Sequence, residues 1–169
     1  MTPAQLLEER QARIMKAVAL EKPDRTPVVL EYAGFAAAVT GTPLSEFLGS
    51  LARSVEVMIE AFHLAEGADA VDYGAYSAYA LCYLWMSKVK VPGVDLPAGA
   101  AFQVVESELM KAEDYDSILS EGWPAFYRRF MEERVLNDVP RYRLPSAQAP
   151  ADVRGAWAAH GIPVSAEAT

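Results

Sequence analysis

Two short runs of the chain end in an acid beside a phenol: Val28-Val29-Leu30 leads into Glu31-Tyr32, and Asp69-Ala70-Val71 leads into Asp72-Tyr73. A carboxylate can take or give a proton, and a phenol can donate a hydrogen bond or offer a ring face. Both pairs follow apolar, β-branched residues, so each falls at the C-terminal end of an expected strand. In parallel α/β proteins that end carries the chemistry. Glu31 and Asp72 are therefore catalytic candidates, and Tyr32 and Tyr73 candidates for substrate contact. Either carboxylate could instead cap a turn, and Asp69 competes with Asp72 for the inward direction because strand residues alternate faces. Glu167, in the run Ile162-Pro163-Val164-Ser165-Ala166-Glu167, is a third catalytic candidate at the end of a last apparent strand.

The aromatic cluster Tyr73, Tyr76, Tyr79, Tyr83 and Trp85 could wall a flat ligand. Its spacing of three and four residues also suits an ordinary packed helix. Tyr76 and Tyr79, nearest the strand end, are kept as substrate-binding candidates. Cys82, His63 and His160 have no close ligand spacing, so no metal site is expected within the chain. Cys82 in an apolar run reads as a small buried hydrophobe, and His160, just before Gly161, suits the negative end of a helix.

The elements that must position these residues alternate. Thr2 can N-cap a first helix with Pro3 at its first position and Gln5 closing a capping box, while Leu7, Ile14 and Val18 share a face. The turn Lys22-Pro23-Asp24-Arg25-Thr26-Pro27 ends that helix and opens strand one, Thr26 to Glu31. Ala36 to Thr40 and Thr42-Pro43 lead to a short helix, and Ser50 starts a longer one through Leu51, Val55, Met58, Phe62 and Ala65, ended by Gly67. Strand two is Asp69 to Tyr73. Strand, helix and strand in this order predict two parallel neighbours. Val89 and Val91 with Phe102 to Glu106 predict an inserted β-ribbon, a kind of excursion that commonly shapes a pocket or a partner surface. Helices are predicted at Glu113 to Ser120, Trp123 to Leu136 and Ala151 to His160, the last after a proline-studded connector, Pro140 to Pro150. The fold class is α/β, one domain over residues 1–169, with no internal repeat.

Composition removes several classes of function. Hydrophobic residues make up 52% of the 169-residue chain, enough for a core rather than a disordered tract. The formal net charge of -8 disfavours nucleic acid, whose phosphates need clustered Lys and Arg. Arg128-Arg129 is followed by Glu132-Glu133, the pattern of a solvated helical face. The most apolar run, Ala75 to Met86, is about a dozen residues against the roughly 20 a bilayer span requires. The amphipathic, acidic start does not read as a secretory signal, and the single cysteine excludes an internal disulfide. The expectation is a cytoplasmic protein with no membrane partner.

The segment Arg13 to Val29, with its helix, Lys-Pro-Asp-Arg turn and Pro-Val strand, resembles the opening of the uroporphyrinogen decarboxylase superfamily, which includes corrinoid-dependent methyltransferases and O-demethylases. Val91-Pro92-Gly93, Leu96-Pro97, Phe102-Gln103, Glu106 and Glu113-Asp114-Tyr115-Asp116 are similar to the segment after the second strand in the methyltransferase-like branch. The resemblance runs over roughly residues 8 to 169 and implies a (β/α)8 barrel. Such barrels need about 250 residues, so the expectation is the N-terminal half of a TIM-type barrel, with the C-terminal half missing or supplied by a second chain. It further implies an enzyme moving a methyl group from a small methylated donor to a corrinoid protein, with zinc held in the other half. Tetrapyrrole decarboxylases carry an arginine-rich Met-Arg-Gln-Ala-Gly-Arg-Tyr segment after the first strand. This chain has Leu30-Glu31-Tyr32-Ala33-Gly34-Phe35 there, which leaves a poly-carboxylate substrate without a charge partner. Decarboxylation and a non-catalytic half-barrel subunit are the two alternatives. An open sheet predicts oligomerisation or a partner chain.

Overall fold

The computed structural model describes residues 1–140 and 152–164. Helix α1, Pro3–Val18, begins as its sequence requires: Gln5 N–H donates to Thr2 Oγ1 at 3.3 Å and Thr2 N–H to Gln5 Oε1 at 2.8 Å, a complete capping box. The chain then passes the proline-rich turn into β1, Val29–Leu30. Three helices carry it to the next strand: α2, Gly34–Thr40; α3, Leu44–Gly49; and α4, Leu51–Leu64, whose first turn is capped by the Ser50 hydroxyl. Strand β2, Ala70–Val71, lies parallel to β1, with Val29 opposite Ala70 and Leu30 opposite Val71. Beyond β2 on its other side, Val164 bridges Val71, again in parallel, and Val71 N–H donates to the Pro163 carbonyl at 3.2 Å. The three parallel segments thus lie side by side in chain order, the first two joined by a helical crossover through α2, α3 and α4.

The strands are shorter than their sequence runs. Pro27 has no N–H to give a ladder, so pairing starts at the Val28 carbonyl, which accepts from Asp69 and Ala70, and ends where Asp72 N–H donates to the Leu30 carbonyl at 2.9 Å.

After β2 come α5, Ala78–Trp85, and the antiparallel ribbon of β3, Val89–Lys90, with β4, Gln103–Val104. The inserted ribbon is therefore present where the alternating valines place it. Helices α6, Asp114–Glu121, and α7, Trp123–Phe130, follow. The run predicted as one helix to Leu136 changes pitch: Met131–Val135 is a π-helical turn. Helix α8, Val153–Ala158, is capped by Asp152, which accepts from Gly155 N–H at 2.7 Å, and is shorter than the predicted Ala151–His160. The connector from residue 141 to 151 and the candidate Glu167 lie outside the described residues.

Two apolar clusters hold these elements. The larger joins Phe47, Leu48, Val55, Val57, Met58 and Phe62 from α3 and α4 to Val71 and to Trp157 of α8. The smaller gathers Cys82 with Phe126, Phe130, Met131 and Val135. Two buried carboxylates add polar ties. Asp114 accepts both guanidinium nitrogens of Arg134, at 2.5 and 2.8 Å. Asp69, fully buried, accepts Arg13 Nη1 at 2.6 Å, Arg25 Nη1 and Nη2 at 2.7 and 2.6 Å, and Val28 N–H at 2.9 Å. Arg13 also donates to Asp24 and Glu9, so the Lys-Pro-Asp-Arg turn is a clamp fastening α1 to the starts of both strands. Among the described residues there is no closed barrel, and no helix is long and apolar enough to cross a membrane.

Candidate functional site

Register and alternation decide which acids share a face. Neighbours in a parallel pair point the same way. Leu30 and Val71 pack into the larger core with the helices, so Val29 and Ala70 point to the opposite side of the sheet. Continued by one residue, the same alternation puts Glu31 and Asp72 on that opposite side, abreast at the C-terminal ends of β1 and β2, about 5 Å apart at the backbone. Both are exposed, as is Val29. Asp69 has the other parity and sits at the N-terminal end of β2 among arginines. Its competition with Asp72 is thereby resolved: Asp69 is a structural anion on the helix side, and Asp72 is the acid that accompanies Glu31.

The phenols divide between the site and the core. Tyr73 is half-buried beside Tyr76, with ring centroids 5.9 Å apart, and its hydroxyl is pushed above the ordinary phenol value by burial, by Tyr76 and by the charges of Glu31 and Asp72. Burial does the same to Tyr76, whose ring stacks on Phe47 at 6.0 Å and whose N–H donates to the buried Ser54 hydroxyl at 2.9 Å. Both are neutral hydrogen-bond donors at physiological pH. Tyr32 is placed differently: its hydroxyl donates to the Met58 carbonyl at 2.6 Å from within the core, and burial drives its proton affinity far up. Tyr32 thus pins the end of β1 to α4. Tyr79 is buried in the first turn of α5.

Three of the sequence candidates, Glu31, Asp72 and Tyr73, are brought to one end of the sheet, where two carboxylates stand by a neutral phenol, with Tyr76 beside Tyr73 and packed on Phe47. Such a set can accept and donate hydrogen bonds and move a proton, and its charge favours a neutral or cationic substrate over a carboxylate-rich one. A separate cavity of about 220 Å³ lies between β1 and α4, on the helix side of the sheet, lined by Leu30, Glu31, Tyr32, Phe35, Ala61 and Ala65.

What the sequence did not disclose is the support beneath the loop that carries Tyr73 and Tyr76. Trp157, with no exposed surface, donates its indole N–H to the Gly74 carbonyl at 2.7 Å. A Cβ on Gly74 would lie 2.6 Å from that indole nitrogen, so only glycine admits the contact. His63 and His160, separated by 97 residues in the sequence, meet in the fold, with His63 Nε2 3.2 Å from His160 Nδ1. No group of three or more His, Cys, Asp or Glu able to hold a metal occurs among the described residues. Cys82 is buried and its thiol is pushed up by burial. Compared with family models, with curated proteins and with solved structures, the chain matches none.

Proposed function

We propose that the chain is the N-terminal half of a (β/α)8 barrel similar to the corrinoid methyltransferase branch of the uroporphyrinogen decarboxylase superfamily. In the completed enzyme it would help move a methyl group from a small methylated donor to the cobalt of a separate corrinoid protein. The observation that carries the reading is the order of the parallel segments β1, β2 and Val164, with Glu31, Asp72 and Tyr73 at the C-terminal ends of the first two. A barrel opens in that order, and its active site lies at that end. The exposed Val29 on the side away from the helices agrees, because a barrel interior is covered only when all its strands are in place.

In this reading Glu31 and Asp72 work as acid, base or hydrogen-bond acceptors on the donor, and the Tyr73 and Tyr76 hydroxyls orient it. The two neighbouring carboxylates oppose a poly-acid and suit a neutral or cationic donor such as a methyl ether or methylamine. Zinc and the corrinoid are contributed by the other half and by the partner protein. The test is methyl transfer to reduced cobalamin by the completed barrel, followed by the growth of methylcobalamin absorbance, with Glu31→Gln as the control. Loss of about 10²-fold in turnover at unchanged melting temperature supports the assignment of Glu31. Full activity in the Gln variant returns Glu31 to a turn-capping role.

A further inference from the structure

The His63–His160 pair takes no part in the site just described, yet it sits at the joint that supports it. His63 closes the last turn of α4 and His160 follows α8. Between them the rings are 5.4 Å apart at their centroids, with the ring nitrogens at hydrogen-bond distance. Arg10 of α1 lies alongside, its guanidinium 5.1 Å from the Phe62 ring centre and donating to the Gly161 carbonyl at 2.6 Å. Two ring nitrogens with no third ligand among the described residues, and with a guanidinium beside them, do not make a cation site.

Charge and hydrogen bonding instead make the pair sensitive to protons. With both rings neutral, one N–H donates to the other ring's bare nitrogen. One added proton preserves that bond. A second leaves two donors facing each other and places two cations beside Arg10. Among the described residues the charges acting on His63 are His160 and Arg10, with no carboxylate joining them. Of the other charged residues on the packed elements, Glu9 pairs with Arg13 and Arg53 with Glu46 and Glu56, Glu8, Lys16, Glu60 and Glu66 are exposed, and Asp152 and Arg154 lie at the far end of α8.

We infer that His63 and His160 form a proton-operated latch that fixes α8 against α4, and through Trp157 fixes the Gly74 loop bearing Tyr73 and Tyr76. The inference stands on the fold and is independent of the methyl-transfer reading. Its sign follows from the surroundings. Burial first, then His160 and Arg10, hold His63 below its ordinary value of 6.5. The docked form therefore binds protons less readily than the released form. Docking is strongest above about pH 6.5 and weakens as pH falls below it.

Hydrogen exchange of the intact chain tests the latch, read at the Trp157 indole N–H and the Ile162 amide and corrected for the intrinsic pH dependence of exchange. Between pH 7.5 and 5.5 their protection should fall by about threefold or more, while the Val57 and Met58 amides within α4 keep theirs. His63→Gln, which retains a hydrogen-bonding group but cannot titrate, should remove most of the fall. Unchanged protection at Trp157, an equal fall in His63→Gln, or a fall shared by Val57 and Met58 would each overturn the inference.

Discussion

Replacing Asp69 by Asn should cost about 3 kcal/mol of folding stability, the lower end of the range for removing one partner of a buried ion pair. Asp69 is fully buried and takes four hydrogen bonds, three of them from guanidinium groups. Asparagine can still accept from Val28 N–H, but its NH2 group then faces cationic donors. Two features keep the loss from the upper end. Arg13, only 6% exposed, retains Asp24 and Glu9, and the Arg25 side chain, 42% exposed, can return to water. Against a typical total of about 5–15 kcal/mol this is a large fraction. With a urea slope of about 2 kcal/mol/M, the unfolding midpoint should fall by about 1.5 M. Coupling to Arg25→Met, measured by a double-mutant cycle, should exceed about 1 kcal/mol, since both residues belong to one network. A midpoint shift below about 0.3 M would refute the claim that this clamp joins α1 to the strands.

Acid should release the same clamp. Arg13 holds the Asp24 carboxyl down to about 2, against an ordinary value of 3.8. Because the folded value is depressed, its contribution is complete above about pH 4 and is lost as pH falls toward 2, so Asp24→Asn should flatten stability measured over that window. Gly74→Ala should destabilise by about 1–3 kcal/mol, because the new methyl group meets Trp157, and should shift tryptophan emission to the red. Trp157→Phe should recover part of that loss in the double variant. The uncovered side of β1, with Val29 exposed, should drive self-association or pairing with a partner chain; light scattering of a dilutable monomer would count against an open half-barrel.

Local chemistry was legible in the sequence, and long-range pairing was not. The Thr2-Pro3-Gln5 box, the Ser50 cap and the valines of the ribbon specify their elements through neighbours a few residues away. The order strand, helices, strand was readable for the same reason. Strand length was overread because the apolar run continues past the point where Pro27 removes a ladder donor and where Tyr32 is drawn into the core by Met58. Glu31 and Asp72 could each be placed at a strand end, but their alignment depends on the register of β1 with β2, which hydrogen bonding sets. His63 with His160 and Trp157 with Gly74 join residues 97 and 83 positions apart. No periodicity or spacing rule reaches that far. A lone histidine before a glycine and a tryptophan in a short helix carry no sign of the partner they meet.

A half-barrel whose strand ends serve methyl transfer is tested most directly by assaying the chain alone and the completed barrel for zinc content and for methylcobalamin formation from reduced cobalamin and a small methylated donor. Neither property is expected in the 169-residue chain, and both are expected in the completed barrel. Stoichiometric zinc in the isolated chain would contradict the site geometry, and a completed barrel that forms no methylcobalamin but releases carbon dioxide from a tetrapyrrole acid would contradict the function.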